Sequence, residues 1–343
     1  MTFSQTVFLP VTPDEAFGLV TQPERLRRWM ALSARIDVRA GGDFRWTVVP
    51  GGYAAGTVTE VEPGRSISFA FGWEGDAEVP PGSSDLTITL EPADGGTSLT
   101  LVHVGLSAQR EKEHAEGWTH YLGRLTTLVE DGDPGLDVWG TPEPFDQITS
   151  ADASYAVLDR ILTAVAPEDS ARRTPCEDFD IAALTDHLHG SIVGIGTAIG
   201  AALPAPEAAP AEDAAEVRMS QAGPRGLSPA ARIAVVLQPT LEALARRGLG
   251  GTADMGFAVL PVPLVANILN LELLVHAWDY ATALGRELEV SDALSEYVLG
   301  LAQETITESV RANGSFAEAE LVDESAHALH RLVAFTGRVP SRG

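Results

Sequence analysis

Three side chains in the C-terminal half of this 343-residue chain have the types and spacing of a metal site: His187, Glu272 and His276. Glu272 and His276 are four residues apart in NLELLVHAWDYATALGR. On a helix they stand one turn from each other, beside the apolar stripe of Ile268 and Val275. In the earlier stretch DFDIAALTDHLHG, Asp180 is placed to cap a helix. Leu184, His187, Leu188 and Ser191 share one face of that helix, which turns His187 inward. A carboxylate beside an apolar stripe is costly to bury without compensation. A divalent cation would compensate it, and one carboxylate with two imidazoles leaves a position open on zinc for water or substrate. Nickel, manganese and iron(II) accept the same donors. Spacing alone leaves two other readings open: a Glu-x-x-x-His pair bonded along its own helix, and a histidine satisfied within a core.

The neighbours of these three residues are read as follows. His189 lies two residues from His187 and projects from another side of the helix, so it reads as structural or as part of the rim. Asp279, one turn beyond His276, is either a carboxylate that orients a ligand or a surface residue. Cys176 precedes the first of the two helices, where a helix N-terminus can lower a thiol pKa, but the structural reading is preferred. It is the single cysteine, which excludes an internal disulfide and a cysteine-cluster metal site and suits a reducing compartment.

Helices are expected over residues 151–165, 181–203, 229–247, 264–284, 292–312 and 324–336. The Ala/Pro-rich stretch 203–229 is expected to be a mobile surface loop. The first part of the chain has the alternation of β-strands instead, over residues 3–9, 34–38, 43–48, 55–61, 66–73, 86–90 and 98–103. Turn signals such as Gly41-Gly42, Gly51-Gly52, Pro63-Gly64 and Gly95-Gly96 separate the runs. Thr12-Pro13-Asp14-Glu15 reads as a capping box that starts a short helix burying Phe17 and Val20. Trp118, Tyr121, Leu122, Leu125 and Leu128 fall on one face of a long helix over 109–129. This order predicts a sheet that grips the last helix, with a cavity between them. His103, His114 and His120 show no site-like spacing, and Trp46, Trp73 and Trp118 read as core or cavity lining. The Gly/Pro/Asp-rich stretch 131–148 separates the two parts, giving a first domain over 1–135, a linker over 136–148 and a second domain over 149–343.

The formal charge of −25 and pI near 4.5 argue against nucleic acid as a partner, because phosphate binding needs Lys and Arg. The longest apolar run, 256–275, is interrupted by Pro261, Pro263, Asn267, Asn270 and Glu272, so no membrane span is expected. The N-terminal MTFSQTVFLP lacks the pattern of a secretory signal, and a cytoplasmic location follows by default.

The motifs TPDEAF, PERLRRWM, RAGGDFRW, GTVTEVEPGRSISFAF and EGWTHYLGRLTTLVE make residues 1–135 similar to the START-like SRPBCC superfamily, in its branch of heat-shock ATPase activator homologues. TPCEDFDIAALTDHLHG, NLELLVHAWDYATALGR and LHRLVAFTGRVP make residues 148–340 resemble the DinB-like domain of mycothiol-dependent maleylpyruvate isomerases and their actinobacterial relatives. The fold class implied is an α+β helix-grip (START-like) domain followed by an all-α DinB-like helical bundle. The second resemblance implies that His187, Glu272 and His276 are the ligands of a divalent metal, zinc foremost. It also implies a metal-dependent thiol S-transferase or isomerase, with a low-molecular-weight thiol such as mycothiol at the open position and a small electrophilic, apolar molecule as substrate. The first domain would then offer an apolar pocket for that molecule. A START-like domain ahead of the bundle departs from the isomerases and argues against maleylpyruvate as the substrate. The alternative is a non-catalytic protein that binds or sequesters a small molecule, for stress or self-resistance, with a structural metal. A co-chaperone role is a third reading.

Overall fold

The computed structural model describes residues 2–176, 179–205, 226–312 and 316–340. Most of the loop expected over 203–229 lies outside the described residues. Two compact units form, Met1–Gly140 and Thr141–Gly343.

The first unit is built from β1 (Thr2–Leu9), α1 (Pro13–Thr21), α2 (Pro23–Leu26), β2 (Ser33–Ile36), β3 (Asp43–Val49), β4 (Gly52–Glu62), β5 (Ser66–Trp73), β6 (Ser84–Ala93), β7 (Gly96–Val104) and α3 (Ala108–Asp131). The strands form one antiparallel sheet in the order β1-β7-β6-β5-β4-β3-β2. Alternation along each strand sends Phe44, Trp46, Phe69, Phe71, Leu86 and Leu99 to one face. The α3 helix buries Trp118, Tyr121, Leu122, Leu125 and Leu128 in that same core, which is the helix-grip arrangement. Close approach of β4 to β5 depends on Gly56, where a Cβ atom would lie 1.9 Å from the Ala70 carbonyl oxygen. The Thr12 side chain caps α1 through the Glu15 amide, and Val20 is buried, whereas Phe17 is only partly covered.

Two histidines without site-like spacing prove to be a structural pair. The His103 and His114 rings meet edge to face at 5.1 Å. Trp118 donates its Nε1–H to Nδ1 of His103 at 3.1 Å, so Nε2 carries the proton and donates to Ser84 Oγ at 3.0 Å. Ser84 Oγ in turn donates to the Phe71 carbonyl. In the same way Trp73 donates to Nε2 of His114, whose Nδ1–H donates to the Arg110 carbonyl. Both imidazoles are thereby satisfied in the neutral form.

The second unit contains α4 (Gln147–Thr163), α5 (Ile181–Ile199), α6 (Pro229–Arg247), β8 (Thr252–Asp254), β9 (Val259–Pro261), α7 (Val262–Leu284), α8 (Asp292–Thr305), α9 (Glu308–Ala312) and α10 (Ala328–Phe335). The α7 helix packs on α4, α5 and α8, α5 pairs with α6, and α10 lies on α8. Three differences from the sequence expectation have local causes. The α5 helix stops at Ile199 because Gly200 takes the left-handed conformation at φ 81°. The helix expected over 292–312 breaks at Ile306, where the backbone leaves the helical region within a β-branched Thr305-Ile306-Thr307 run. The β8–β9 hairpin has strands of three residues, too short to show alternation. No described helix is long and apolar enough to cross a membrane.

The paired histidines set an acid limit on the first unit. Burial, then the neighbouring His114, pushes His103 down to about 3, and its side chain is 0% exposed. An unfolded histidine takes its proton near pH 6.5, so stability is fully present above that value and falls as pH drops towards 3. The loss from His103 should reach about 2 kcal/mol by pH 5. Five of the six tryptophans lie in this unit, so tryptophan fluorescence in urea reports its unfolding. The midpoint should fall between pH 7 and pH 5, and His103→Gln should flatten that slope. An equal slope in both proteins would contradict the assignment.

Candidate metal centre

The register between α5 and α7 is fixed beside the site by a buried hydrogen bond of 2.9 Å between Thr185 Oγ1 and the Tyr280 hydroxyl. Thr185 is two residues before His187, and Tyr280 is one turn beyond His276. That contact sets His187 opposite the Glu272–His276 turn. Phe179 stacks on the His187 ring at 5.1 Å, and the His187 and His276 rings meet edge to face at 5.2 Å.

Glu272 Oε2 lies 3.4 Å from His187 Nε2 and 3.6 Å from His276 Nε2, and one donor atom from each residue falls within 4.8 Å of the others. The oxygen is buried and has no hydrogen-bond partner among the described residues. Ligands about 2.0–2.2 Å from a tetrahedral cation stand about 3.4 Å apart, close to both separations. An orphaned carboxylate oxygen facing two imidazole nitrogens at that spacing fits a divalent cation. Among the described residues no fourth His, Cys, Asp or Glu joins the group.

The orientation of His276 comes from behind. Its Nδ1–H donates to Asp279 Oδ2 at 2.9 Å, which leaves Nε2 facing Glu272. Asp279 is 0% exposed, which settles its open reading against a surface role. Its carboxylate accepts two hydrogen bonds of 2.7 Å from Nε and Nη2 of Arg338, a bidentate fork. Arg338 sits just past α10 and also donates to Thr336 Oγ1.

Without a cation, burial disfavours the charge on His276, but Asp279 and Glu272 outweigh burial and push it up to about 9. Burial opposes ionisation of Glu272 too, yet the two imidazoles hold it well below the usual carboxylate range.

The structure places the other residues differently from one another. The His187 side chain is 37% exposed, so it stands on the solvent side of the group rather than pointing wholly inward. His189, read as structural or rim, is buried on a different side of α5 with Nδ1 unpartnered among the described residues, and burial followed by the charge of Arg232 lowers its pKa. Cys176 is partly buried within electrostatic reach of Arg338 and does not join the three donors. Arg338 was missed as a positioning residue. Its signal was weak, because it is one of two arginines in LHRLVAFTGRVP and the motif does not tell them apart.

Residues 151–281 match the model of the mycothiol maleylpyruvate isomerase N-terminal domain. Residues 10–130 match that of the Activator of Hsp90 ATPase homolog 1-like proteins. The chain joins one domain of each type. Domains of the isomerase type are metal-binding, and the matched span includes His187, Glu272, His276 and Asp279 but ends before Arg338. Among solved structures, the chain is similar to DynU16, encoded in the dynemicin biosynthetic locus, at 23% identity over 41% of this chain with a TM-score of 0.37. It spans about half of that protein, 51%. It is also similar to CalU16 from Micromonospora echinospora, at 26% identity over 38% of this chain and 76% of the other, TM-score 0.31. An AHSA1-like protein from Rhizobium etli is 36% identical over 43% of this chain and 92% of its own, TM-score 0.34. No curated protein matches the chain.

The raised His276 and lowered Glu272 make the metal-free bundle pH-sensitive. The His276 contribution is fully present below about pH 6.5 and is lost as pH rises through about 9. That of Glu272 is present above its ordinary value of 4.5 and is lost only in acid. Chelator-treated protein should therefore lose thermal stability between pH 7 and pH 9.5, read as the helical circular dichroism transition. Asp279→Asn should remove most of that dependence. A flat profile in the unsubstituted protein would show that His276 is not held charged.

Proposed function

We propose that the second unit is the catalytic part of a divalent-metal-dependent thiol S-transferase or isomerase, with His187, Glu272 and His276 as the metal ligands. The observation that carries this reading is the orphaned Oε2 of Glu272, aimed between two imidazole nitrogens with one of the histidines open to solvent. Zinc suits the two-nitrogen, one-carboxylate set. When bound, such a cation supplies Lewis-acid stabilisation of a thiolate at neutral pH. The protein's own groups prepare the place. Glu272 brings the negative charge, and Asp279 keeps the His276 proton on Nδ1 so that Nε2 is free to bind. Arg338 prevents the Asp279 carboxylate from competing as a ligand. Phe179 covers one face of His187 and shields it from water. The exposed edge of His187 marks the side from which a low-molecular-weight thiol, mycothiol by the domain's type, would enter. Its sulfur would bond to a small, apolar electrophile, either remaining attached or leaving again after isomerisation. In this reading the protein acts on soluble small molecules in the cytoplasm.

Elemental analysis of the purified protein tests the ligands. About one equivalent of divalent metal is expected, with a drop of tenfold or more in Glu272→Gln, and unchanged metal in that variant would sink the ligand set. Thiol consumption tests the reaction. Mycothiol should be consumed with a panel of electrophiles, and a chelator should abolish that consumption. Metal at full occupancy with no consumption across the panel would remove the enzymatic reading and leave a metal-holding binder.

A further inference from the structure

The surface of the helical unit carries a trough that starts at the candidate metal centre. Between Leu264 and Ala281 the α7 helix is buried on every side except one stripe, formed by Leu264, Ile268 and Glu272 at i, i+4 and i+8. Beyond Glu272 that stripe is wholly apolar. A matching stripe on α5 leads away from His187, where Ser191, Gly194 and Ala198 follow at i+4, i+7 and i+11, all of them partly or fully exposed. The two helices run antiparallel, because Thr185 meets Tyr280 while His187, further along α5, meets Glu272, earlier on α7. The stripes therefore lie side by side, with His187 and Glu272 at the same end. Glu272 Oε2, buried and without a hydrogen-bond partner among the described residues, independently marks that end as a place where something binds.

The glycine of the α5 stripe has no packing reason. Glycine is the weakest helix former after proline, so its place inside a helix needs a cause. Gly196 has one, since a Cβ atom there would lie 2.5 Å from Thr240 Oγ1. At Gly194, and at Gly190 one turn earlier, a Cβ atom would meet nothing within 4 Å. Neither serves the approach of another element of the chain. Both leave the α5 backbone bare on the side where His187 is exposed.

Beyond His187 and Glu272 neither stripe carries a charged side chain, so the trough gives an ion no partner. From His187 to Gly194 the helix rises about 10 Å, which is about the extended length of eight carbons. A floor of serine, glycine and alanine leaves room for a straight chain, and the isoleucine and leucine opposite gain by having their apolar surface covered.

We propose that this trough is the substrate groove of the metal centre, holding the straight, uncharged chain of an electrophile whose reacting end lies at His187, Glu272 and His276. Its catalytic meaning rests on the metal-dependent thiol reaction proposed above, whereas the trough itself stands on α5 and α7 alone.

The test uses the full-length protein with carbon-13-labelled isoleucine and leucine methyl groups, so that only binding at the trough is read. The unreactive straight-chain ketone 2-nonanone should shift the Ile268 and Leu264 methyl signals saturably. Its shorter homologue 2-pentanone should bind about tenfold more weakly, because it has fewer methylenes to remove from water. Gly194→Leu fills the trough where nothing opposes a side chain. It should weaken 2-nonanone about tenfold without lowering the helical circular dichroism transition or the metal content. In turnover with mycothiol, kcat/KM for trans-2-nonenal should exceed that for trans-2-pentenal about tenfold, and Gly194→Leu should remove the difference. Absence of saturable shifts at Ile268 and Leu264, or 2-nonanone binding unchanged by Gly194→Leu, would overturn the trough. Equal kcat/KM for the two enals would overturn its part in substrate selection. Saturable shifts with no thiol consumption on any electrophile would instead sink the enzymatic reading and leave the trough as a binding site, so the two failures are distinguishable.

Discussion

The candidate metal centre depends on a carboxylate that holds one of its three residues, His276, from behind. Asp279 is wholly buried, and a buried carboxylate persists as an anion only where cations and hydrogen bonds replace its water. Arg338 supplies a two-pronged cation on one side and the His276 imidazole completes the other. Removing one partner from such a pair typically costs about 3–5 kcal/mol, more than an exposed ion pair contributes. The same contact determines which nitrogen of His276 carries the proton, and so which one faces Glu272. Geometry at the donors is therefore inherited from a residue 59 positions further along the chain.

Histidines in the two units show how far the surroundings decide one side chain's chemistry. His103 is enclosed by an indole N–H, a serine hydroxyl and aromatic rings, and nothing there repays the cost of a charge. His276 is equally enclosed, but carboxylates on both sides favour its charge more strongly than burial opposes it. One is pushed down and the other up from the same starting value. The same type of side chain is thus held neutral among aromatic rings in the first unit and charged between two carboxylates in the second.

Much of this arrangement was legible in the sequence because its signals are periodic. The seven strands of the sheet, the buried face of α3 from Trp118 to Leu128, and the helical spacing of Glu272 and His276 follow from repeats of two or of three to four residues. What escaped has no periodic signature. The exposure of His187 relative to His189 depends on how α5 leans against α6 and α7. The His103–His114 pair joins a strand to a helix, and the role of Arg338 arises from a loop that returns to α7. Each is a tertiary contact between residues that nothing in the local pattern links.

The order in which the centre's parts occur along the chain has a consequence for its assembly. Synthesis proceeds from the N-terminus, so His187 emerges first, then Glu272 and His276 together, and Arg338 only after α8 and α10 have followed. A nascent bundle that has just completed α7 owns every donor but lacks the guanidinium, leaving two carboxylates and two imidazoles to compete for the same protons and for any passing cation. Asp279 is then a rival ligand rather than a support. Docking of the segment after α10 withdraws Asp279 from that competition, so which atoms face Glu272 is settled only once Arg338 is in place.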